Sequence, residues 1–377
     1  MELLIVGGGP VGLAAALALR ERGIRSSMTV LEAAPAGRQV YSDRNIALSS
    51  GSWRFLRRIG VALGDAPQAP ITRVEVSQQG AFGLLTLDAA DIGRAELGAA
   101  ITYPALMSAL HTAIGTTDIA LRHDARVTAL ESSGDDTSVA LANGECLRAD
   151  GIIIADGAGG ITLPGTRHHS RDSGHVAVLA RVTASRPQPG LAIERFTAHG
   201  TLALVPRSDG DWTAIWAQPR ADAERALALP DEAYVAMLNE AAGRALGTLT
   251  LAGARTQFPL VWHLREPRSS GSLVAIGNAA QGLHPAAAQG LNLGFADARV
   301  LASTMTACNA APIAQRFATF ARRRAPDRLL RMGFSGLLAH GFHRGGWILD
   351  VPRGAGLMAL QLATPARRAL LRRLVLA

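Results

Sequence analysis

The sequence predicts an α/β protein with a parallel βαβ unit at the N-terminus, a mainly antiparallel β-sheet further along and helices at the C-terminal end. A strand-like run, a glycine-rich turn, a helix-like run and a second strand-like run follow one another within residues 2–31. Short alternating runs separated by turn residues fill residues 176–216. Hydrophobic residues make up 48% of the 377 residues and charged residues only 18%, which excludes a disordered or collagen-like chain.

The N-terminal unit has the clearest pattern. Residues 3–6 form a short apolar run, and residues 13–22 are rich in alanine and leucine with charges only at their end, which predicts a strand, a turn and a helix. Residues 28–31 predict a second strand, which ends at Glu32 and completes a βαβ unit of about 30 residues. Parallel α/β architecture follows from such a unit.

The later elements are predicted from runs in which apolar and polar residues alternate, as in strands, and from apolar runs typical of helices. In chain order they are alternating strands over 71–87, a helix over 103–114, short strands over 119–155 with a hairpin turn at Asn143-Gly144, strands of a second, mostly antiparallel domain over 176–216, a buried strand over 273–276 and a helix over 291–307.

Charge is distributed unevenly along the chain. The net charge is +8 and the sequence contains no lysine, which excludes Walker A loops, Schiff-base enzymes and the usual flavin-dependent halogenases. Within residues 316–377, 12 arginines stand against Asp327 and Asp350. This local positive charge predicts an anionic partner, either a membrane surface or an acidic protein of a biosynthetic complex. No motif for nucleic-acid recognition is present.

Other classes of site are disfavoured. Cys146 and Cys308 form no Cys-x-x-Cys pair, which argues against a disulfide framework or a zinc site. His168, His169 and His175 lie in a turn-rich stretch without partner ligands, so we expect no metal. The N-terminus has no basic segment or cleavage site, and no uncharged apolar run reaches about 18 residues. We expect a cytoplasmic protein, peripheral on the inner membrane through its basic C-terminus.

A dinucleotide fingerprint lies in the first turn. Gly7, Gly9 and Gly12 follow a strand, open a helix and precede Glu32 by 20 residues, the spacing of a G-x-G-x-x-G motif with its ribose-binding acid. The glycines permit a tight turn, close approach of the backbone to a pyrophosphate and close helix packing. The motif alone does not distinguish a nicotinamide dinucleotide from a flavin dinucleotide.

Later motifs favour the flavin. Residues 152–157 resemble the Asp-Gly motif of aromatic hydroxylase flavoproteins, and residues 275–280, 283–285 and 289–292 resemble their ribityl-binding segment. The chain thus resembles the class A FAD-dependent monooxygenases. Within them it is similar to the ubiquinone-biosynthesis hydroxylases, over essentially the whole chain, in the segments 43–49, 194–197, 202–206, 277–280 and 364–367.

The resemblance implies a fold like that of para-hydroxybenzoate hydroxylase, in which a Rossmann-like FAD-binding domain carries a substrate domain and a helical C-terminal region. The predicted boundaries are 1–70, 96–170 and 265–320 for the discontinuous FAD-binding domain, 71–95 and 171–264 for the substrate domain, and 321–377 for the basic C-terminal region.

The resemblance also implies which residues bind FAD. Gly7, Gly9, Gly12 and Glu32 would bind the ADP half, with Val127 beside the adenine. Arg44 would lie near the pyrophosphate and flavin, and Asp156 and Asn278 at the central phosphate and ribityl chain. The remaining motif residues of this implied site are Gly157, Pro285, Gly290, Leu291 and Asn292. A helix that opens at 289–292 would direct free N–H groups at the flavin C2 carbonyl. Ala288 departs from the family, which usually has glycine there.

The implied reaction is hydroxylation of a polyprenylated phenol, of the 2-polyprenyl-6-methoxyphenol type, in ubiquinone biosynthesis. NADPH or NADH docks transiently and reduces the flavin, and molecular oxygen then forms a C4a-hydroperoxide that transfers oxygen to the ring. His284 is a candidate for a proton relay. Phe196, Trp216 and Trp262 are candidates for substrate contact.

Alternatives remain open at this point. A related monooxygenase could act on another aromatic compound or ring position. A flavin-dependent reductase of prenyl chains would share the glycine turn but consume no oxygen. A flavin-binding scaffold subunit of a lipid-biosynthesis complex would bind FAD without catalysis. The arginine pairs 367–368 and 372–373 alternate with leucines, which suits either a solvated helical face or a surface that docks on anionic lipid.

Overall fold

The computed structural model describes residues 1–37, 44–64, 68–133, 136–157, 160–161, 163–282, 289–341 and 347–376. Within these ranges the α-helices are α1 (Pro10–Glu21), α2 (Ser50–Arg58), α3 (Tyr103–Gly115), α4 (Arg220–Ala228), α5 (Asp231–Ala242), α6 (Gln289–Ala307), α7 (Ile313–Gly341), α8 (Trp347–Leu362) and α9 (Thr364–Leu376). Single 3-10 turns lie at Ala89–Ile92 and Gly277–Ala279. No helix in the described part of the chain is long and apolar enough to pass through a bilayer.

The strands belong to four sheets. In chain order they are β1 (Glu2–Val6), β2 (Ser27–Leu31), β3 (Asn45–Ser49), β4 (Gln68–Ile71), β5 (Arg73–Gln78), β6 (Leu84–Asp88), β7 (Gly98–Thr102), β8 (Ala120–Arg122), β9 (Val127–Ser133), β10 (Asp136–Leu141), β11 (Cys146–Arg148), β12 (Gly151–Ile154), β13 (Arg167–Ala184), β14 (Leu191–Thr197), β15 (Gly200–Pro206), β16 (Trp212–Pro219), β17 (Leu249–Leu251), β18 (Thr256–Glu266), β19 (Ser269–Ser270), β20 (Leu273–Ala275) and β21 (Gln281–Gly282).

The first sheet is a six-stranded, mostly parallel one, in the order β19-β20-β12-β1-β2-β8. Successive residues of β1 point to opposite faces, as strand geometry requires. Leu3 and Ile5 pack against helices that include α1, α3 and α6. Leu4 and Val6 pack on the other face, against residues of β9 and β10 in the three-stranded sheet β11-β10-β9. The strands are therefore buried on both faces, and the predicted α/β fold class is confirmed.

The largest sheet has nine strands in the order β21-β18-β13-β16-β15-β14-β5-β6, with β17 added beside β13. All its pairs are antiparallel except that between β14 and β5. One face packs on α4 and α5 through buried residues such as Val178, Tyr234 and Leu238. Two predicted domain boundaries, 170–171 and 264–265, fall inside continuous strands, β13 and β18 respectively.

The C-terminal helices close the open side of the nine-stranded sheet. Leu357 of α8 and Leu371 of α9 pack against Leu85 and Leu87 of β6. A Cβ atom built on Gly354 would lie 2.3 Å from the carbonyl oxygen of Phe82, so the backbone of α8 directly touches the β5–β6 hairpin.

A buried ion cluster links the last part of the parallel sheet to the helices that follow it. Asp297 of α6 is fully buried and accepts hydrogen bonds from Arg268, at 3.2 Å, and from Arg324 of α7, at 2.7 Å. Its other oxygen accepts the Gly277 N–H at 3.0 Å. Burial alone would raise the pKa of Asp297, but the two guanidinium groups and these hydrogen bonds hold it below its ordinary value. The carboxylate therefore stays ionised.

Substitution of this carboxylate should destabilise the fold. Asp297→Asn leaves buried Arg268 without its counter-charge and Arg324 with Asp327 alone, so we expect a loss of about 3–5 kcal/mol in unfolding free energy at neutral pH, measured in urea. Because the native pKa is lowered, the contribution of Asp297 is present above its unfolded pKa and disappears as pH falls through the native pKa. The variant should therefore lose less stability on acidification than the wild type.

Asp118→Asn is the matched control, since Asp118 is 74% exposed and pairs with Arg20 at the surface. Its effect should stay below about 1 kcal/mol. Equal stabilities of the two variants would contradict the role given to Asp297.

Candidate functional site

One cavity of about 1140 Å³ lies between the parallel sheet, the nine-stranded sheet and the C-terminal helices. Ordinary small-molecule pockets occupy about 300–1000 Å³. Its wall runs from the glycine turn after β1, past the three-stranded sheet β3-β7-β4, to leucines of α8 and α9. The cavity is therefore large enough for more than one small molecule.

The nucleotide end is built by the glycine turn. Gly7 has φ +108°, and a Cβ on Gly12 would lie only 1.9 Å from the Gly7 carbonyl oxygen, so both positions require glycine. A Cβ on Gly9 would meet nothing within 4 Å, and Gly9 is the residue before α1 begins at Pro10. Gly7 and Gly9 line the cavity, while Gly12 lies behind them in the helix. Free N–H groups at this helix start suit an anion.

Glu32 lines the cavity at the end of β2. Its two carboxylate oxygens accept the N–H groups of Gly8, at 2.9 Å, and Ala34, at 2.8 Å. These bonds fix the carboxylate beside the glycine turn, and each oxygen retains lone-pair capacity for a further donor such as a ribose hydroxyl. Val127, where β9 begins, lines the same end of the cavity.

Asp156 and Gly157 follow β12 and also line the cavity. Burial raises the pKa of Asp156, and its Oδ2 atom is buried with no hydrogen-bond partner in the described part of the chain. A buried polar atom without a partner is costly. A ligand with hydroxyl donors would satisfy it.

Arg44 occupies the middle of the cavity, between two aromatic rings. Its guanidinium carbon lies 4.9 Å from the ring centre of Tyr103 and 5.1 Å from that of Phe258. Its Nε atom is buried and also lacks a hydrogen-bond partner among the described residues. Stacking on two rings holds the cation in place for an anionic ligand. Burial raises the pKa of Tyr103, so its hydroxyl keeps its proton at neutral pH.

The start of α6 completes the middle of the site. Gly290, Leu291 and Asn292 lie in its first turn and line the cavity, as Asn278 does. The Asn292 side chain accepts the Ser49 N–H at 2.9 Å and donates to the Ala47 carbonyl at 3.0 Å. Asn292 therefore fixes the helix start against β3. His284, Pro285 and Ala288, named in the sequence analysis, lie outside the described residues.

Of the three substrate candidates, one lines the cavity and two do not, and contact with the substrate stays a prediction. Phe196 lines the cavity, but Trp216 is fully buried on the face covered by α4 and α5, where its indole N–H donates to Thr197. Ile215 lines the cavity in its place. Trp262 likewise lies between two cavity residues, Val261 and His263. Trp216 faces away from the cavity because adjacent strand residues point to opposite faces.

Two groups of cavity residues were missed by the sequence analysis. His263 is buried, lines the cavity and bonds through Nε2 to the Asn278 carbonyl, beside the described part of the flavin motif. Leucines of the C-terminal helices were noted there only as spacers between arginines. Those that line the cavity, together with one valine, are Leu357, Leu360, Leu370, Leu371, Leu374 and Val375. No group of three metal-binding side chains occurs among the described residues.

These features fit FAD. The glycine turn leaves room for a pyrophosphate, Glu32 is fixed where a ribose would lie, and Asp156 and Arg44, each with a buried polar atom that has no partner among the described residues, line the cavity. The roles of individual residues toward the cofactor stay predictions.

The comparisons with known proteins agree with this reading. The family model described as FAD binding domain matches residues 1–326. The ubiquinone hydroxylase UbiL of Rhodospirillum rubrum is 29% identical, with 98% of this chain and 88% of the relative covered. The 3-demethoxyubiquinol 3-hydroxylase of Escherichia coli is 28% identical, with 97% and 96% covered.

A solved structure, that of PqsL, a probable FAD-dependent monooxygenase from Pseudomonas aeruginosa, superposes with a TM-score of 0.78 at 18% identity, covering 95% of this chain and 99% of that one. This likeness supports the fold. The predicted resemblance, the enzyme class and FAD as cofactor are confirmed. The chain belongs to the FAD-binding-domain family and is an FAD-dependent monooxygenase of the aromatic-hydroxylase type.

Proposed function

We propose that this enzyme hydroxylates the aromatic ring of a polyprenylated phenol, of the 2-polyprenyl-6-methoxyphenol type, in ubiquinone biosynthesis. The observation that carries the proposal is the long apolar end of the cavity, which continues from the FAD site to the C-terminal helices. Relatives that are named ubiquinone hydroxylases and match nearly the whole chain support the same substrate class.

The apolar end has the chemistry of a site for an aliphatic chain. Its walls are Val74, Val76, Leu85 and Leu87 of β5 and β6, faced by the leucines of α8 and α9. None of these residues carries a polar side chain, and the adjacent strand β14 contributes one carboxylate to the cavity lining, Glu194, whose register partner is Val76. A prenyl tail would gain about 25 cal/mol for each Å² of apolar surface that it buries there. A small hydrophilic phenol would leave this part of the cavity unused.

The ring would lie near the middle of the cavity, where polar residues and the flavin-binding elements meet. FAD, reduced by NADPH and supplied with molecular oxygen, would provide the oxygen-transfer chemistry. The enzyme's own residues would bind the substrate and orient its ring. Arg44 offers a fixed cation, the start of α6 offers N–H groups, and Phe196 with Ile215 forms an apolar wall that limits access of water to the ring.

Anaerobic stopped-flow reduction of the FAD-loaded protein by NADPH tests the proposal. With a short-tailed 2-prenyl-6-methoxyphenol present, flavin bleaching should accelerate by about tenfold or more, equivalent to about 1.4 kcal/mol in the barrier. The phenol without a tail should accelerate it less, because it leaves the apolar end empty. A bleaching rate that neither phenol changes would contradict the proposed substrate. Bleaching without oxygen consumption when air is admitted would indicate a reductase.

Glu32→Arg tests the ADP end of the site. The substitution removes the acceptor for a ribose and places a cation beside the glycine turn, so we expect the dissociation constant of FAD to rise roughly a hundredfold, or about 2–3 kcal/mol. Equilibrium titration of the apoprotein with FAD measures it. Glu2→Arg makes the same charge change at an exposed position on the neighbouring strand and should bind FAD normally. Normal affinity in Glu32→Arg would contradict the assignment.

A further inference from the structure

Exposed large apolar side chains are concentrated on one surface. Among the described residues, seven such side chains are exposed, and five of them lie on α8 or on the β5–β6 hairpin. Four of these five, hereafter the apolar surface, are Phe82 (53% exposed), Val351 (56%), Met358 (37%) and Leu362 (76%). Apolar clusters of this kind mark interaction sites on soluble domains.

The four side chains of the apolar surface are close neighbours in the fold. Val351, Met358 and Leu362 are spaced seven and four residues apart, which places them on one face of α8. Phe82 joins them because its backbone touches α8 at Gly354. Leu84 (43% exposed) is not part of this surface, because it points to the sheet face opposite to that of Leu85, which packs with α8.

The helix next to this surface carries positive charge. Arg368, Arg372 and Arg373 of α9 are exposed. Arg367 makes two hydrogen bonds to Asp91, at 3.0 and 3.1 Å, and holds α9 against the 3-10 turn at Ala89–Ile92. The acid of α8, Asp350, is engaged by Arg353 and Gln78. The exposed face of α9, the helix that contacts α8, is thus cationic.

We infer that the apolar surface and the exposed arginines of α9 dock the enzyme on a lipid bilayer that contains anionic headgroups. Apolar side chains would enter the headgroup region while arginines pair with lipid phosphates, as amphipathic helices do at interfaces. The opposite face of α8 lines the apolar end of the cavity through Leu357 and Leu360, so docking through α8 would place that end of the cavity near the bilayer. The inference goes beyond the proposed function, because it concerns the surface and holds for any substrate.

Co-sedimentation of the FAD-loaded, full-length protein with vesicles tests the inference. Phosphatidylcholine vesicles with and without phosphatidylglycerol are compared at low and high salt. The wild type should partition into the anionic vesicles, more weakly at high salt. Arg368→Gln/Arg372→Gln should lower the partition coefficient at low salt about tenfold or more. Met358→Gln/Leu362→Gln should lower it at both salt concentrations, because insertion of apolar groups is not screened.

Arg25→Gln/Arg171→Gln is the matched control, since it removes two exposed arginines from other surfaces. It should bind vesicles like the wild type. Thermal melting confirms that each variant folds. NADPH-dependent flavin reduction with the short-tailed phenol and without vesicles should be unchanged in every variant, so a failure of docking is distinguishable from a failure of the proposed function.

Two results would overturn the inference. One is a wild type that remains in the supernatant with both kinds of vesicle, which would direct attention to a protein partner for this surface. The other is vesicle binding that neither pair of substitutions reduces relative to the control.

Discussion

The buried carboxylate of Asp297 is the interaction on which the rest of the architecture depends. It ties three segments that are distant in sequence: Arg268 before the last strands of the parallel sheet, the Gly277 turn after them, and Arg324 of α7. Because Asp297 lies on α6, these bonds also set where that helix begins relative to the cavity. As a result, Asn278 and the first turn of α6 are held beside the glycine turn, and α7 is fixed against α6.

The alternation of strand residues gives the cavity its second wall. In the nine-stranded sheet, Leu202 and Leu204 pack toward α4 and α5, while Ala203 and Val205 face the cavity. One sheet therefore supplies both a core and a binding surface. On the opposite side, the leucines of α8 and α9 close an apolar volume continuous with the flavin site. A polar nucleotide end and an apolar far end in one cavity suit a cofactor and a tailed phenol bound side by side.

Sequence reasoning succeeded where chemistry is local. The βαβ unit, Gly7 to Gly12 and Glu32 follow from spacing within about 30 residues, the length of such a unit, and the helix predicted over 103–114 is Tyr103–Gly115 in the structure. Sequence reasoning could not decide which residues of a strand line the cavity, because that depends on which element packs against each face of the sheet. Trp216 and Ile215 are equally suitable as cavity residues until the sheet is placed against α4 and α5. The pairing of Asp297 with Arg324 and the cavity-facing leucines of α9 depend on long-range packing that no local pattern encodes.

In the proposed function, one cavity holds the ring beside the flavin and the tail beneath the C-terminal helices. The most direct measurement compares kcat/KM for matched phenols with and without a prenyl tail in two variants of α8. Leu360→Trp should fill the apolar end and lower the advantage of the tail about tenfold or more, whereas Leu362→Trp, at an exposed position two residues away, should leave it intact. An equal tail advantage in the wild type and Leu360→Trp would contradict the account.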